Sequence, residues 1–157
     1  MKKLLKFIIV AVLLAGILYL ASGFFFHPDG PVPEPDPVVE TIREDGIYTS
    51  MEDVALYLHT YGKLPSNYVT KQEAKDMGWI ASKGNLQDVC DQCSIGGDRF
   101  GNREGALPSK KGRKYYECDI DYKGGNRNEK RIIYSNDGLI YYTDDHYGTF
   151  TLLYGEP

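Results

Sequence analysis

The first periodic pattern of apolar residues beyond residue 45 has the spacing of an α-helix. Its members lie three or four positions apart and are Met51, Val54, Ala55, Leu58 and Tyr61. This spacing places them on one side of a helix over residues 51–61. A capping-box pattern at Ser50 and Asp53 indicates where the helix begins, and Gly62 suits the position just after its end.

Two shorter helical segments are predicted after this helix. Residues 71–77 follow Thr70 and contain Glu73 at the third position, which is again a capping-box pattern, and Gly78 can end the helix. One further helical turn is predicted over residues 85–89.

The pattern changes to that of β-strands in the second half of the chain. Residues 114–120 alternate, and residues 131–135 and 139–143 are rich in aromatic and β-branched side chains. Between the last two runs, the Asn-Asp-Gly sequence at 136–138 predicts a hairpin turn. Residues 147–153 are predicted to add a last short strand. Helices followed by antiparallel strands indicate an α+β fold, with N-terminal helices packed on a C-terminal antiparallel sheet.

Two glycine-containing stretches, residues 95–98 and 101–105, are interpreted as polar loops. Glycine lets a backbone approach a flat ligand closely, and the second stretch also contains Asn, Arg and Glu. Taken alone, such a sequence is more typical of an ordinary turn.

The N-terminal 45 residues are predicted to lie outside the folded domain, which we place at residues 46–157. Basic residues at Lys2, Lys3 and Lys6 precede an uncharged apolar run over residues 7–26, which is either a cleaved signal peptide or a retained membrane anchor. Residues 27–45 contain five of the eight prolines together with acidic residues, which is typical of an extended linker. Both alternatives predict a protein that is secreted or anchored on the outer face of the cytoplasmic membrane.

Charge and cysteine content restrict the partners that the domain can bind. The chain has a net charge of −4, which is unusual for a protein that binds nucleic acid. Residues 103–131, however, contain nine basic and five acidic residues, so a local basic patch remains. Cys90 and Cys93 predict one short disulfide in an exported chain, and Cys118 is expected to be buried. The chain has no further ligands at a spacing suited to a zinc site.

The acidic residues of the first long strand are candidates for chemistry. Glu117, Asp119 and Asp121 alternate, so they share one face of the strand, which is either a solvated face or part of a site with nearby cations. Arg127 and Arg131 can share a face if their segment is extended, and such a pair can hold a phosphate.

His146 and Lys71 are further candidates, and each has a plain alternative. His146 follows a predicted strand, where loops present functional groups, but a single histidine there is often only a surface residue. Lys71 lies in the first turn of its helix, where a cation is unfavourable unless an anion is bound. Lys71 therefore either belongs to a phosphate site at this helix end or is simply balanced by Glu73.

Several segments at matching spacing resemble the barnase-type family of guanyl-preferring bacterial ribonucleases. The matching text is Tyr57-Leu58, Thr60-Tyr61, Lys63-Leu64-Pro65, Asn67-Tyr68, Gly78-Trp79, Ala81-Ser82-Lys83-Gly84-Asn85-Leu86, Ser94-Ile95-Gly96-Gly97-Asp98, Asn102-Arg103-Glu104-Gly105, Arg127-Asn128, Thr143, Asp145-His146-Tyr147 and Thr149-Phe150-Thr151. The resemblance covers residues 46–153 and implies the microbial ribonuclease fold.

The resemblance implies a catalytic role for five residues. Glu117 matches the general base that takes the proton of the ribose 2′-hydroxyl, and His146 matches the general acid that protonates the leaving 5′-oxygen. Lys71, Arg127 and Arg131 match the cations that stabilise charge on the phosphoryl oxygens. No metal or other cofactor is implied.

The resemblance also implies how the substrate is recognised. Asn102, Arg103 and Glu104 match the guanine-recognition loop, with Glu104 accepting from the guanine edge. Tyr147 matches an aromatic residue that contacts substrate, and Asp98 matches a supporting residue behind the site.

RNA is the partner that these matches imply. A monomer, a barstar-like inhibitor in the cytoplasm of the producing cell and a membrane tether through residues 7–26 are further expectations. The alternative function is a catalytically inactive, membrane-tethered module that binds RNA or protein on the same scaffold.

Overall fold

A computed structural model describes residues 41–157 of the chain. The predicted N-terminal segment 7–26 and most of the predicted linker therefore lie outside the described residues. Within the described residues, no helix is long and apolar enough to cross a membrane. The tyrosine hydroxyls of Tyr57 and Tyr61 donate to the carbonyl oxygens of Glu44 and Ile42, so the chain just before residue 46 packs against the first helix.

Three α-helices and one 3₁₀ turn precede most of the sheet. They are α1 (Met51–Tyr61), α2 (Lys71–Asp76), a 3₁₀ turn (Ala81–Lys83) and α3 (Leu86–Val89). The predicted boundaries of α1 are confirmed: the Ser50 hydroxyl accepts from the Asp53 amide, and Gly62 ends the helix in the left-handed conformation. The predicted capping box of Thr70 and Glu73 is also present at the start of α2.

Six strands form one sheet in sequence order, so the α+β fold class is confirmed. The strands are β1 (Tyr68–Val69), β2 (Ser94–Phe100), β3 (Tyr115–Asp119), β4 (Arg131–Ser135), β5 (Ile140–Thr143) and β6 (Thr151–Tyr154). All neighbouring pairs are antiparallel except β1 and β2, which are parallel. The hairpin predicted at residues 136–138 joins β4 to β5, with Gly138 at a φ of 97°.

The interpretation of residues 95–98 as a loop is wrong, because they lie inside β2. Gly96 is paired with Cys118, and a Cβ at Gly96 would lie 2.6 Å from the Cβ of Cys118, so the close approach of β2 and β3 requires glycine there. The register then shifts between Gly96 and Asp98, and Gly97 takes a φ of 92° at this bulge. The bulge places Asp98 directly opposite Glu117 on β3.

The two faces of the sheet carry different cores. On one face, α1 buries Val54 and Leu58 against Cys118, Ile132 and Ile140. The other face carries a separate cluster of Leu107, Tyr115, Ile133, Leu139 and Tyr141. A third cluster, around Trp79 and Ile95, holds α2 and α3 against the start of β2. The predicted Cys90–Cys93 disulfide is formed just before this strand. Cys118 is buried and free, as expected.

Candidate active site

Glu117 occupies the centre of the face opposite α1. Its side chain is only 8% exposed, so the interpretation of this carboxylate as part of a solvated face is wrong. Lys71 Nζ lies 2.6 Å from Oε1, and the hydroxyl of Tyr147 donates to Oε2 at 2.8 Å. The strand β3 carries the carboxylate to this place, and the start of α2 carries the lysine.

Two opposing effects act on the pKa of Glu117. Burial raises the pKa, whereas the hydrogen bonds from Lys71 and Tyr147 and the nearby charge of Arg127 lower it. The bonds and charges win, so the pKa lies below the ordinary value for a glutamate. The carboxylate is therefore ionised near neutral pH and available to accept a proton.

Lys71 is directed to Glu117 by its own backbone. Its amide, at the first position of α2, donates to Asp98 Oδ2 at 3.0 Å, and the β2 bulge brings Asp98 to that position. The alternative in which Glu73 balances Lys71 is not what the structure shows, because Glu73 instead accepts from Thr70 at the helix cap. Asp98 thus supports the lysine from behind.

Asp119 joins two arginines beneath the site. Arg127 donates to both of its oxygens, at 2.6 and 2.5 Å, and Arg131 Nε lies 3.0 Å from Oδ1. The Arg131 contact has the distance of an ion pair, but its angle is too poor for a hydrogen bond, so Nε remains without one within residues 41–157. Because Asp119 is 1% exposed, both guanidinium groups are fixed against a buried anchor.

The sequence alone did not assign Asp119 this role. The alternation of Glu117, Asp119 and Asp121 predicted only that cations would lie nearby. Asp121, by contrast, leaves the row, since its backbone turns to a φ of 54° and its carboxylate pairs with Lys130 at the surface.

His146 is exposed on the loop that follows β5. Both His146 and Tyr147 take left-handed backbone conformations, at φ values of 55° and 74°. The His146 ring lies 4.9 Å from the ring of Tyr147, whose hydroxyl donates to Glu117, so one residue contacts both groups. The left-handed residues also explain why the predicted strand over 147–153 begins only at Thr151.

Asp145 holds this loop in place. Its carboxylate accepts from the amides of Gly148 and Thr149 at 2.9 Å each and from the hydroxyls of Thr143 and Thr149. The bonds from Thr149, and then those from Thr143 and Gly148, outweigh desolvation and lower the pKa of Asp145 to about 2. The conformation that presents His146 is therefore supported by a carboxylate that stays ionised at any ordinary pH.

A cavity of about 390 Å³ adjoins this cleft between the end of β2 and the His146 loop. Asn102, Arg103, Glu104 and Tyr147 line it, together with Phe100 and Phe150. Neither phenylalanine was among the candidate site residues predicted from the sequence. Phe100 stacks on Tyr147 with ring centroids 5.5 Å apart, and it meets Phe150 edge to face.

The three residues of the 102–104 segment have different positions in this cavity. The amide of Asn102 donates to and accepts from the backbone of Leu107, at 2.8 and 3.0 Å, so its side chain closes the loop and does not point at a ligand. Arg103 and Glu104 are exposed, and neither side chain has a hydrogen bond within the described part of the chain. Their polar atoms are free to meet a ligand in the cavity.

Within residues 41–157, no group of three or more His, Cys, Asp or Glu side chains lies close enough together to hold a metal ion. The three cations near the site, Lys71, Arg127 and Arg131, already face carboxylates of the protein.

Acid–base chemistry on an anionic ester is the class of reaction for which this site is suited, since an ionised carboxylate lies beside fixed cations and an exposed imidazole lies against the tyrosine that contacts that carboxylate. The chain belongs to the microbial ribonuclease family, a family of RNA-cleaving endoribonucleases. A family model described as ribonuclease matches residues 51–154.

Three named relatives agree with this assignment. The chain is 43% identical to a ribonuclease of Bacillus intermedius over 164 residues, which covers 96% of this chain and 98% of that protein. It is 54% identical to a ribonuclease of Bacillus pumilus over 105 residues, which covers 67% of this chain and 65% of that protein. It is also 54% identical to a ribonuclease of Heyndrickxia coagulans over 104 residues, covering 66% of this chain and 95% of that protein.

Proposed function

We propose that this protein cleaves single-stranded RNA on the 3′ side of guanosine, by a metal-independent transfer to the 2′-hydroxyl followed by hydrolysis. The observation that carries the proposal is the buried Glu117 carboxylate, which is kept ionised by Lys71 and Tyr147, with the ring of His146 against the same tyrosine.

The first step forms one bond and breaks one. Glu117 takes the proton of the ribose 2′-hydroxyl, and the resulting oxygen attacks the adjacent phosphorus. The bond from phosphorus to the 5′-oxygen breaks, and protonated His146 gives its proton to that oxygen. The products are a 2′,3′-cyclic phosphate and a free 5′-hydroxyl.

The second step reverses the two roles. Neutral His146 takes a proton from water, and the water oxygen attacks phosphorus. The bond from phosphorus to the 2′-oxygen breaks as protonated Glu117 returns its proton to that oxygen, which leaves a 3′-phosphate. The nucleophile of the first step is the hydroxyl of the substrate itself, so no metal-bound water has to be generated.

Lys71, Arg127 and Arg131 stabilise the negative charge that develops on the phosphoryl oxygens. Arg127 is suited to this because its Nε and one Nη are fixed on Asp119, while the other Nη has no protein partner within the described residues. A guanidinium that is held in this way needs little reorganisation when the substrate binds.

The 390 Å³ cavity is the proposed guanine site. Glu104 accepts from the N1 and N2 groups of guanine, Arg103 supplies donors, and Phe100 and Tyr147 contact the flat base. Adenine has no N1 hydrogen and no N2 amino group, so it leaves the Glu104 carboxylate without a partner.

We further propose that the protein acts outside the cytoplasm as a monomer, either released after cleavage within residues 1–26 or tethered through residues 7–26. A producing cell then needs a barstar-like inhibitor in its cytoplasm. N-terminal sequencing of the mature protein distinguishes release from tethering: a start near residue 24 indicates release, and an intact leader indicates the tether.

The central experiment is cleavage of RNA in the presence of excess chelator, with analysis of the product ends. We expect 2′,3′-cyclic phosphate ends that convert slowly to 3′-phosphates. Glu117→Ala and His146→Ala should each reduce cleavage by about 10²–10⁴-fold while the domain stays folded. Glu129→Ala and Asp144→Ala, at exposed positions, are the matched controls and should cleave normally.

Near-normal turnover by either active-site variant would reject the assigned roles, and absence of cleavage by the native protein would favour the inactive binding module. Base preference is tested with guanylyl-uridine against adenylyl-uridine. Glu104→Gln should reduce cleavage of the guanylyl substrate roughly 10–100-fold, because a hydrogen bond to a charged group is worth about 1.5–3 kcal/mol.

A further inference from the structure

The sheet face opposite the active site carries a row of cross-strand partners, which we call the aromatic row. It consists of Arg99, Tyr116, Tyr134, Ile140 and Tyr154, each paired with the next across strands β2 to β6. Because neighbouring strands lie about 4.8 Å apart, the row is about 19 Å long. Ile140 of the row is buried against Val54 and Leu58 of α1, whereas Tyr116, Tyr134 and Tyr154 are only partly buried.

The side chains of the row contact one another through their flat faces. The guanidinium of Arg99 lies 5.3 Å from the centre of the Tyr116 ring. Tyr116 and Tyr134 stack at 5.6 Å with an angle of 26° between their planes. At the far end, His59 of α1 stacks on Tyr154 at 4.4 Å and 17°. These contacts hold the rings of the row in place, and Tyr116 and Tyr134 remain partly exposed.

Between the row and the end of α1 lies a cavity of about 430 Å³. Tyr116 and Tyr134 form one side of it, and His59 lies on another. Gly62 and Gly138 also line it, and a Cβ built at either position would meet no atom within 4 Å. The cavity is thus open because two of its lining residues have no side chain, and its aromatic and polar lining matches a nucleobase.

The row is continuous with the proposed guanine site. Arg99 lines that site and also an adjoining cavity of about 150 Å³, which Lys110 and Arg113 line as well. Strand β1 pairs only with Ser94 and Ile95, so it does not cover the end of β2 that carries Arg99. Residues 109–114 contain four basic residues; Arg113 pairs with Asp137 at 3.0 Å and Lys110 lies 3.9 Å from the same carboxylate, whereas Lys111 and Lys114 have no ion pair within the described residues. A phosphate backbone leaving the guanine site would therefore meet positive charge along this edge.

We propose that the aromatic row binds a single-stranded segment of the RNA substrate, which passes from the guanine site around the end of β2 and stacks its bases on the tyrosines. The inference rests on the proposed function and extends it to long substrates. Cations at the edge and rings beyond it are the two components by which proteins hold single strands without regard to sequence. A purely apolar protein partner would not make use of the cations.

The test compares a guanylyl-uridine dinucleotide with an oligonucleotide of about twelve nucleotides, within the range of about 4–16 that such sites cover, containing one internal guanosine. We expect Tyr134→Leu to lower kcat/KM for the longer substrate about tenfold, or ~1.4 kcal/mol, and to leave that for the dinucleotide unchanged. Tyr142→Leu is the matched control, since Tyr142 is also half-buried against the same core but lies outside the row. It should change neither value.

Binding to the native protein is a second measurement that does not depend on the folding of a variant. A non-cleavable 2′-deoxy form of the longer oligonucleotide should shift the amide resonances of Gly62 and Gly138, whereas a 2′-deoxy dinucleotide should not. Unmoved amides, or a Tyr134→Leu variant that treats both substrates as the native protein does, would overturn the inference while dinucleotide cleavage leaves the proposed function intact. Failure of the native protein to cleave the dinucleotide would instead count against the proposed function.

Discussion

The Tyr147 hydroxyl sets part of the basicity of Glu117, and Tyr147→Phe isolates that part. The substitution removes the donor 2.8 Å from Glu117 Oε2. It keeps the ring, which stacks on Phe100 and lies 4.9 Å from the His146 ring. The packing of the cleft is therefore retained while one hydrogen bond to the carboxylate is lost.

The direction of the change follows from the balance at Glu117. Burial raises its pKa, and the bonds from Lys71 and Tyr147 lower it. Removing one of the two donors must raise the pKa. A hydrogen bond to a charged group is worth about 1.5–3 kcal/mol, and one pKa unit corresponds to ~1.4 kcal/mol. Because Tyr147 is only about half-buried, we take the lower end and expect a rise of about one unit.

The measurement is kcat/KM for a dinucleotide substrate as a function of pH. Its acid limb reports the base of the free enzyme, since activity requires the ionised carboxylate. In the native enzyme this limb should lie below the ordinary pKa of glutamate, and Tyr147→Phe should move it up by about one unit. Loss of a substrate contact by Tyr147 lowers the plateau but does not move the limb.

Tyr141→Phe is the control, because Tyr141 is a buried tyrosine of the same sheet face that makes no contact with Glu117 in the described structure. Its acid limb should coincide with that of the native enzyme. If the limb of Tyr147→Phe also stays in place, the hydroxyl does not tune the base, and our account of the Glu117 pKa is refuted.

Two other predictions concern stability. Asp119→Asn should lower the free energy of unfolding by about 3–5 kcal/mol in urea titration, because it leaves buried guanidinium groups without their counter-charge. Asp121→Asn, at the exposed pair with Lys130, should have little effect, and equal losses in the two variants would contradict the role of burial. Replacing Cys90 and Cys93 by serine should cost about 2 kcal/mol by the loop-closure model and leave dinucleotide cleavage unchanged. Loss of cleavage in a folded double variant would show that the disulfide shapes the site.

The elements with a clear periodic pattern were predictable from the sequence. The helix Met51–Tyr61 and the strand Arg131–Ser135 occur at their predicted boundaries, since capping residues and alternation act locally. Strand β2 was missed because Gly96 and Gly97 have low strand propensity. Glycine is required at these positions by the close approach of β2 to β3 and by the bulge, and both exist only in the assembled sheet.

The candidate site shows the same division. The residues that carry charge or an imidazole, such as Glu117 and His146, were recognisable from the family resemblance. Asp98 was recognisable in the same way as a supporting residue, but the sequence left Asp119 between a solvated face and a site near cations and predicted no role for Asp145. The burial of a carboxylate depends on the side chains that pack over it, and these come from chain segments that are distant in sequence.

The bulge in β2 makes the strand one residue longer than its neighbour needs. Without the bulge, Gly97 would stand opposite Glu117, and Asp98 would then point to the side of the sheet that α1 covers. The carboxylate of Asp98 would be buried in the apolar core beneath α1, and the amide of Lys71 would lose its hydrogen-bond acceptor. Because of the extra residue, the first half of the strand packs in the core and the second half directs Asp98 into the active site. Loop engineering at either end of β2 has to preserve this extra residue.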